Sequence, residues 1–213
     1  MNFLAINTAF SESYVAALCN NKKIYKSMDS SLKQSENILG LIDKVLNEAN
    51  IRVADLDSIA CVVGPGSFTG IRIGASIAKG FASAFSGIKR LCINSLDLLA
   101  YTYSKSAQNE YWVILNALSG NLFACKYAKD GTRLCEPFLA SDKNLSEISG
   151  DIVGLEEENL EFCKNFVTFT SENLLEYAIL QKNKQNFAVD FVPVYLRKSQ
   201  AEAELDKKES NGD

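Results

Sequence analysis

Val62-Val63-Gly64-Pro65-Gly66-Ser67-Phe68-Thr69-Gly70-Ile71-Arg72-Ile73-Gly74 joins two regular elements of opposite character. Ahead of it, Ser58-Ile59-Ala60-Cys61-Val62-Val63 is a short apolar, β-branched run that reads as a buried strand. Behind it, apolar residues recur at helical spacing from Phe68 to Phe85. Gly64, Pro65 and Gly66 can continue neither element, because glycine admits positive φ while proline fixes φ and lacks a donor. Ser67 is placed to cap the helix, so Gly64, Pro65, Gly66 and Ser67 read as a structural turn. Free N–H groups at such a helix start could face an anion, but the phosphate-loop patterns fail here. A Walker A loop needs two glycines five apart followed by Lys-Ser/Thr; Thr69 and Ile71 hold those places, and no lysine follows. A dinucleotide fingerprint begun at Gly64 needs glycine where Thr69 stands.

The helix says more than the loop. Gly70, Gly74, Ala78 and Ala82 form a stripe of small residues. Ile73, Ile77, Phe81 and Phe85 form a bulky stripe about 100° away around the axis. Arg72, Ser76, Lys79, Ser83 and Ser86 take the remaining side. Such a helix buries more than an ordinary surface helix does. Two accounts fit it: a central helix held between a sheet and a neighbour in the same chain, or one that also receives a helix of another protein.

At 213 residues the chain can be one large domain or two lobes, and its 47% hydrophobic content suits a globular core. A formal charge of −4 and a pI near 5.1 argue against the chain itself gripping a nucleic-acid backbone. No apolar run approaches the length of a membrane span, and the first eight residues lack the basic start of a signal peptide, so a cytoplasmic protein with no membrane partner is expected. Histidine is absent, which removes Ser-His-Asp and Cys-His nucleophile pairs and every imidazole metal ligand. The six cysteines include no C-x-x-C, so neither a zinc site nor a redox pair is signalled and buried free thiols are expected.

Taken in order, Phe3–Thr8, Ser13–Cys19 and Lys23–Met28 read as strands, with a hairpin turn at Asn20-Asn21-Lys22. Gln34 to Ala49 is a helix with a wide apolar stripe, Ser35 its expected cap. The central strand and the glycine-bearing helix follow, then a strand at 88–93 and a short helix that Ser95 is expected to cap. Hairpins followed by parallel crossovers make a mixed sheet covered by helices. From Tyr111 the pattern restarts: strands at 111–117 and 121–128, an Asp130-Gly131 turn into a strand over 132–138, short strands at 151–155 and 166–169, and a helix begun by Ser171. The expected organisation is an N-terminal lobe over 1–105, a reduced C-terminal lobe over 106–200 and a flexible tail over 201–213.

Two lobes that each open with three strands suggest the duplicated α/β architecture, ribonuclease H-like and actin-like (ASKHA), of sugar kinases and actin-like ATPases. Such enzymes hold Mg²⁺-phosphate with a carboxylate at the first hairpin. Here Asn7-Thr8-Ala9-Phe10-Ser11 and its second-lobe counterpart, Asn116 to Asn121, contain no acid. Neutral amides are weak ligands for a hard cation, so phosphoryl transfer lacks its charge stabilisation.

The run from Gly64 to Gly74 resembles the signature of the bacterial TsaB (YeaZ) family, supported by Leu4-Ala5-Ile6-Asn7-Thr8-Ala9 and by Pro193-Val194-Tyr195-Leu196-Arg197. The resemblance implies a non-catalytic dimerisation and activating subunit of tRNA N6-threonylcarbamoyladenosine synthesis at adenosine 37. Its partners would be the TsaD-type transferase and the TsaE-type ATPase, with a homodimer when alone and tRNA met only through the complex. Catalytic, cofactor and metal residues of its own are not implied; ATP with Mg²⁺, and Fe or Zn, belong to the partner subunits. Pairing is implied through both helices singled out above. The interface would then be Ile38, Leu41, Ile42 and Val45 of the first, with Phe68, Gly70, Ile71, Gly74, Ile77, Ala78 and Phe81 of the second. Three places depart from the family: Asn7 for its usual Asp, Lys33-Gln34-Ser35 for a His-Ser pair, and Asn116 to Phe123 for D-A-R-x-x-E-V-Y. The alternative is an enzyme, either a degenerate small-molecule kinase or a peptidase; the missing acids disfavour the first and the missing histidines the second.

Overall fold

A computed structural model describes residues 1–29, 32–118, 120–141, 147–158, 160 and 163–196. The expected tail over 201–213, and Arg197 of the C-terminal motif, lie outside the described residues.

The first sheet contains β1 (Asn2–Asn7), β2 (Ser13–Cys19), β3 (Lys22–Met28), β4 (Ser58–Gly64) and β5 (Lys89–Asn94), in the order β3-β2-β1-β4-β5. β1 pairs antiparallel with β2 and parallel with β4. The second sheet contains β6 (Tyr111–Asn116), β7 (Leu122–Tyr127), β8 (Phe138–Ala140), β9 (Asp151–Leu155) and β10 (Asn165–Val167), in the order β10-β9-β6-β7-β8. Read from its other edge this is the first order repeated, with the same antiparallel and parallel partners. The duplication expected from the sequence is therefore a duplication of topology, giving the ASKHA-like fold of two mixed sheets flanked by helices.

Alternation along the strands separates the layers. Leu4 and Ile6 of β1 face α1 (Gln34–Ala49) and α2 (Phe68–Ala84), which bring Ile38, Ile42, Val45, Ala75, Ala78 and Ala82 to that side. Phe3 and Ala5 face the other way, into a core shared with α3 (Ser95–Ser104), α4 (Ser171–Asn183) and the second sheet's Val113, Leu115 and Tyr127. One apolar core thus runs between both sheets through α3 and α4. The far face of the second sheet is closed by Ile148 and Cys163 from loops, so that lobe is the thinner one.

Polar ties supplement the shared core. Asp97 of α3 accepts from Tyr127 Oη at 2.7 Å and from both Nε and Nη2 of Arg133. Tyr111 Oη donates to the Ala100 carbonyl at 2.8 Å. Phe169, between β10 and α4, meets the rings of Phe10 and Tyr14 edge-on.

Several local expectations need correction. Ser35, Ser95 and Ser171 do not cap their helices. α1 begins after Lys33 with no side-chain cap, and Ser35 lies within its first turn. Asn94 caps α3, its carboxamide accepting from Leu96 and Asp97 N–H. Thr170 caps α4 in a reciprocal box with Asn173, which frees Ser171 Oγ to donate to the Lys26 carbonyl at 2.7 Å. Residues 132–138 are not a strand: Arg133 alone bridges to Tyr127, and regular pairing resumes at Phe138. Residues 171–196, placed with the second lobe from the sequence, lie against the first. α4 packs on β1, β2, β3 and β5. Ala188 bridges Arg90, Phe191 enters the α1–α2 core, and Val194 N–H donates to the Val63 carbonyl at 2.8 Å.

Asp97→Ala leaves Arg133 and the Tyr127 hydroxyl without their shared acceptor. The expected loss is about 1–3 kcal/mol, the range for hydrogen bonds to a charged group. It is read as a lowered urea midpoint; an unchanged midpoint would show that the link does not hold the lobes.

Candidate functional site

The turn and the start of α2 are set by how closely they approach β1. Ser67 caps α2, its Oγ accepting from Gly70 N–H at 3.2 Å, and Ser67 N–H donates to the Ala9 carbonyl at 2.8 Å. A Cβ on Gly70 would stand 1.9 Å from the Thr8 carbonyl oxygen, and one on Gly74 would stand 2.4 Å from Thr8 Oγ1. Thr8 Oγ1 in turn donates to the Gly70 carbonyl at 2.6 Å. The small-residue stripe therefore rests on the end of β1 in the same chain, which settles the account left open above for Gly70 and Gly74.

The expected interface residues divide sharply. Ile38, Leu41, Ile42 and Val45 of α1, and Gly70, Ile71, Gly74 and Ala78 of α2, are buried within the chain. The extra apolar width of α1 is taken up by β2, β3 and α2. Phe68, Ile77 and Phe81 remain half-buried, joined by Ile73 on the same outward side of α2 as Ile77 and Phe81. Phe85 at the helix end and Leu39 on α1 are exposed at 39% and 51%. Two further residues on these helices, Gly40 and Gly80, are exposed, and a Cβ on either would meet nothing within 4 Å. The expected interface set omitted Leu39, although Leu39 extends the apolar stripe of α1, and it lacked Gly40 and Gly80, since spacing alone does not separate a glycine under a strand from one facing open space.

A second feature lies between the lobes. A cavity of about 670 Å³ is lined by the β1–β2 turn, the α2 start, the β6–β7 turn and residues 194–196. The two hairpin turns are built alike. Asn7 Oδ1 accepts from Ala9 N–H at 2.9 Å, and Asn116 Oδ1 accepts from Leu118 N–H at 2.8 Å. Asn7 is fully buried and does not reach the cavity wall. At one side Arg72 lies 3.8 Å from the Phe68 ring centre and donates from Nε to Tyr195 Oη at 3.0 Å. At the other, Glu158 accepts from Asn116 N–H at 2.8 Å. Burial pushes the Glu158 carboxyl up to about 7; the Asn116 N–H opposes the rise and the neighbouring Glu157 adds to it. Among the described residues no cluster of three or more Cys, Asp or Glu side chains is placed to hold a metal ion.

A family model described as TsaD, tRNA N6-adenosine threonylcarbamoyltransferase, matches residues 28–148, more than half of the chain. Relatives named tRNA threonylcarbamoyladenosine biosynthesis protein TsaB match as well. The protein of Buchnera aphidicola subsp. Schizaphis graminum is 34% identical over 134 residues, 62% of each chain. That of Buchnera aphidicola subsp. Acyrthosiphon pisum is 27% identical over 85% of this chain and 83% of its own. The chain belongs to this family, in its TsaB (YeaZ) branch. The match spans less than two thirds of the Schizaphis graminum relative's length, and 56% of the Escherichia coli TsaB at 27% identity. YeaZ from Pseudomonas aeruginosa shares the fold, with a TM-score of 0.74 at 20% identity over 91% of this chain and 100% of that one. No helix among the described residues is long and apolar enough to cross a membrane.

Two outcomes follow for TsaB-branch residues. Gly74→Leu is expected to destabilise the folded chain by about 1–3 kcal/mol, because its side chain must displace Thr8. A denaturant midpoint unchanged from wild type would restore the outside-helix account. Glu158 has a raised folded pKa, so the native state binds more protons than the unfolded one and stability falls as pH rises from about 4.5 to about 7. Glu158→Gln keeps an acceptor for Asn116 and is expected to flatten that decline, with a gain of about 1–3 kcal/mol at pH 8. Parallel pH profiles of the two proteins would exclude Glu158 as its source.

Proposed function

We propose that this chain is the non-catalytic accessory subunit of tRNA N6-threonylcarbamoyladenosine synthesis, and that it grips a TsaD-type transferase through the outward faces of α1 and α2. The observation that carries this reading is the pair of exposed helix glycines beside apolar residues. A glycine inside a helix costs about 1 kcal/mol relative to alanine. Gly70 and Gly74 have a reason within the chain, but Gly40 and Gly80 face open space. A helix of a partner lying over Leu39, Ile73, Ile77 and Phe81 would use the clearance at both glycines. Phe68, Ile77 and Phe81 keep their interface role in this reading; the buried members of the expected set hold the contacting surface from beneath.

The catalytic work falls to the partner. Both hairpin positions where a related phosphotransferase fold carries an acid hold asparagine here, with each Oδ1 accepting from the turn behind it. The chain contains no histidine for an acid–base or metal-ligand role. ATP with Mg²⁺ and any Fe or Zn are accordingly assigned to partner subunits, a TsaE-type ATPase joins the pair, and tRNA is met through the assembly. Without its partner the chain pairs with a second copy through the same helices, in the cytoplasm.

The test is co-elution with a TsaD-type protein on size-exclusion chromatography with light scattering. Ile77→Asp and Gly80→Arg are expected to weaken pairing at least about tenfold, or about 1.4 kcal/mol. Gly80→Ala is expected to raise the melting temperature of the free chain. No shared peak with the wild-type chain, or full pairing by Gly80→Arg, would overturn the assignment.

A further inference from the structure

Cys125 and Cys135 belong to the second lobe and line neither the cavity nor the α1 and α2 faces. Their sulfurs are 4.0 Å apart. Cys125 is buried on β7, and Cys135 is half-buried on the irregular segment that precedes β8. The backbone explains the meeting. Tyr127 stands opposite Arg133 and Ala124 opposite Phe138, so extra residues bulge across from Cys125 and bring the Cys135 side chain beside it. A disulfide accepts Cα separations of about 4.4–6.8 Å, and closing this pair needs the sulfurs to move to about 2.05 Å. Each thiol already engages the segment across from it: Cys125 Sγ donates to the Cys135 carbonyl at 3.1 Å, and Lys126 N–H donates to Cys135 Sγ at 3.2 Å.

We infer that Cys125 and Cys135 form a reversible thiol–disulfide modification site, closed by a low-molecular-weight disulfide such as glutathione disulfide. The partly exposed Cys135 reacts first. Its thiolate attacks one sulfur of the reagent, forming a mixed disulfide and expelling one glutathione thiolate. Cys125 then gives its proton to water and attacks Cys135 Sγ, expelling the second glutathione. Two protein thiols are oxidised and one glutathione disulfide is reduced to two glutathiones. Burial pushes the Cys125 thiol up to about 12, so the closing step accelerates with pH. Cys61 and Cys92 also face each other, across the parallel β4 and β5, but Cys61 is fully buried and Cys92 Sγ is directed to the Asp190 carbonyl.

The experiment incubates the intact, folded chain with excess glutathione disulfide, followed by intact mass and peptide mapping. The expected product has lost two hydrogens, carries no glutathione, contains a Cys125–Cys135 cross-link, and returns to the dithiol with dithiothreitol. Cys125→Ser should instead trap one glutathione on Cys135, and closure in the wild type should run about tenfold faster at pH 8 than at pH 7. A wild-type chain that stays unmodified, that keeps glutathione on Cys135, or that cross-links Cys61 to Cys92 would overturn the assignment.

Discussion

The structure depends on one close approach, that of the first turn of α2 to the end of β1. Thr8 offers its carbonyl oxygen and its hydroxyl to a helix that could not come so near with a side chain at position 70 or 74. Ala9 fixes the turn before it by accepting from Ser67. With α2 seated there, its alanines face Leu4 and Ile6, its bulky residues turn outward, and α1 finds a neighbour. The outward strip is thus a by-product of the inward fit: the same helix cannot seat both stripes on one sheet.

Duplication supplies the second constraint. Each sheet begins with a strand ending in asparagine, and each asparagine folds back onto the N–H two residues on. An aspartate in such a place could present a charge to a metal-bound phosphate. Here Asn7 is sealed beneath the cavity, and Asn116 is bound to Glu158 through its own N–H. The cleft between the lobes therefore has asparagine at both hairpin positions, one sealed beneath it and one on its wall. Shared apolar core and the Asp97 link hold the lobes together across it.

Much of this was legible in the chain. The strands of the first sheet and the extent of α1 followed from alternation and helical period, because burial on each side of a sheet imposes those periods directly. The helix caps were less readable. Asn94-Ser95 and Thr170-Ser171 each offer two capping residues in a row; Lys26 claims Ser171, while Ser95 Oγ is buried with no partner of its own among the described residues. Residues 132–138 carried a strand-like pattern, but pairing holds at Arg133 and resumes only at Phe138 in a shifted register, which alternation alone does not reveal. The outward faces of α1 and α2 were half readable. Apolar width marked α1 and α2 as unusual, yet the sequence could not tell which apolar residues the chain would cover for itself. Glu158 was invisible, since its altered acidity comes from burial between elements far apart in sequence.

The return of residues 187–196 over the first lobe ties its completion to a segment that follows the whole second sheet. Phe191 plugs a core built from residues before position 95, and Val194 closes on the strand that leads into the central turn. During synthesis the ribosome delivers the first sheet and its helices long before these closing residues emerge. Until then, the nascent lobe leaves a groove where Phe191 belongs and an uncovered β5 edge, which is a surface for chaperones to shield. The first lobe is complete only once residues 187–196 have followed the second sheet.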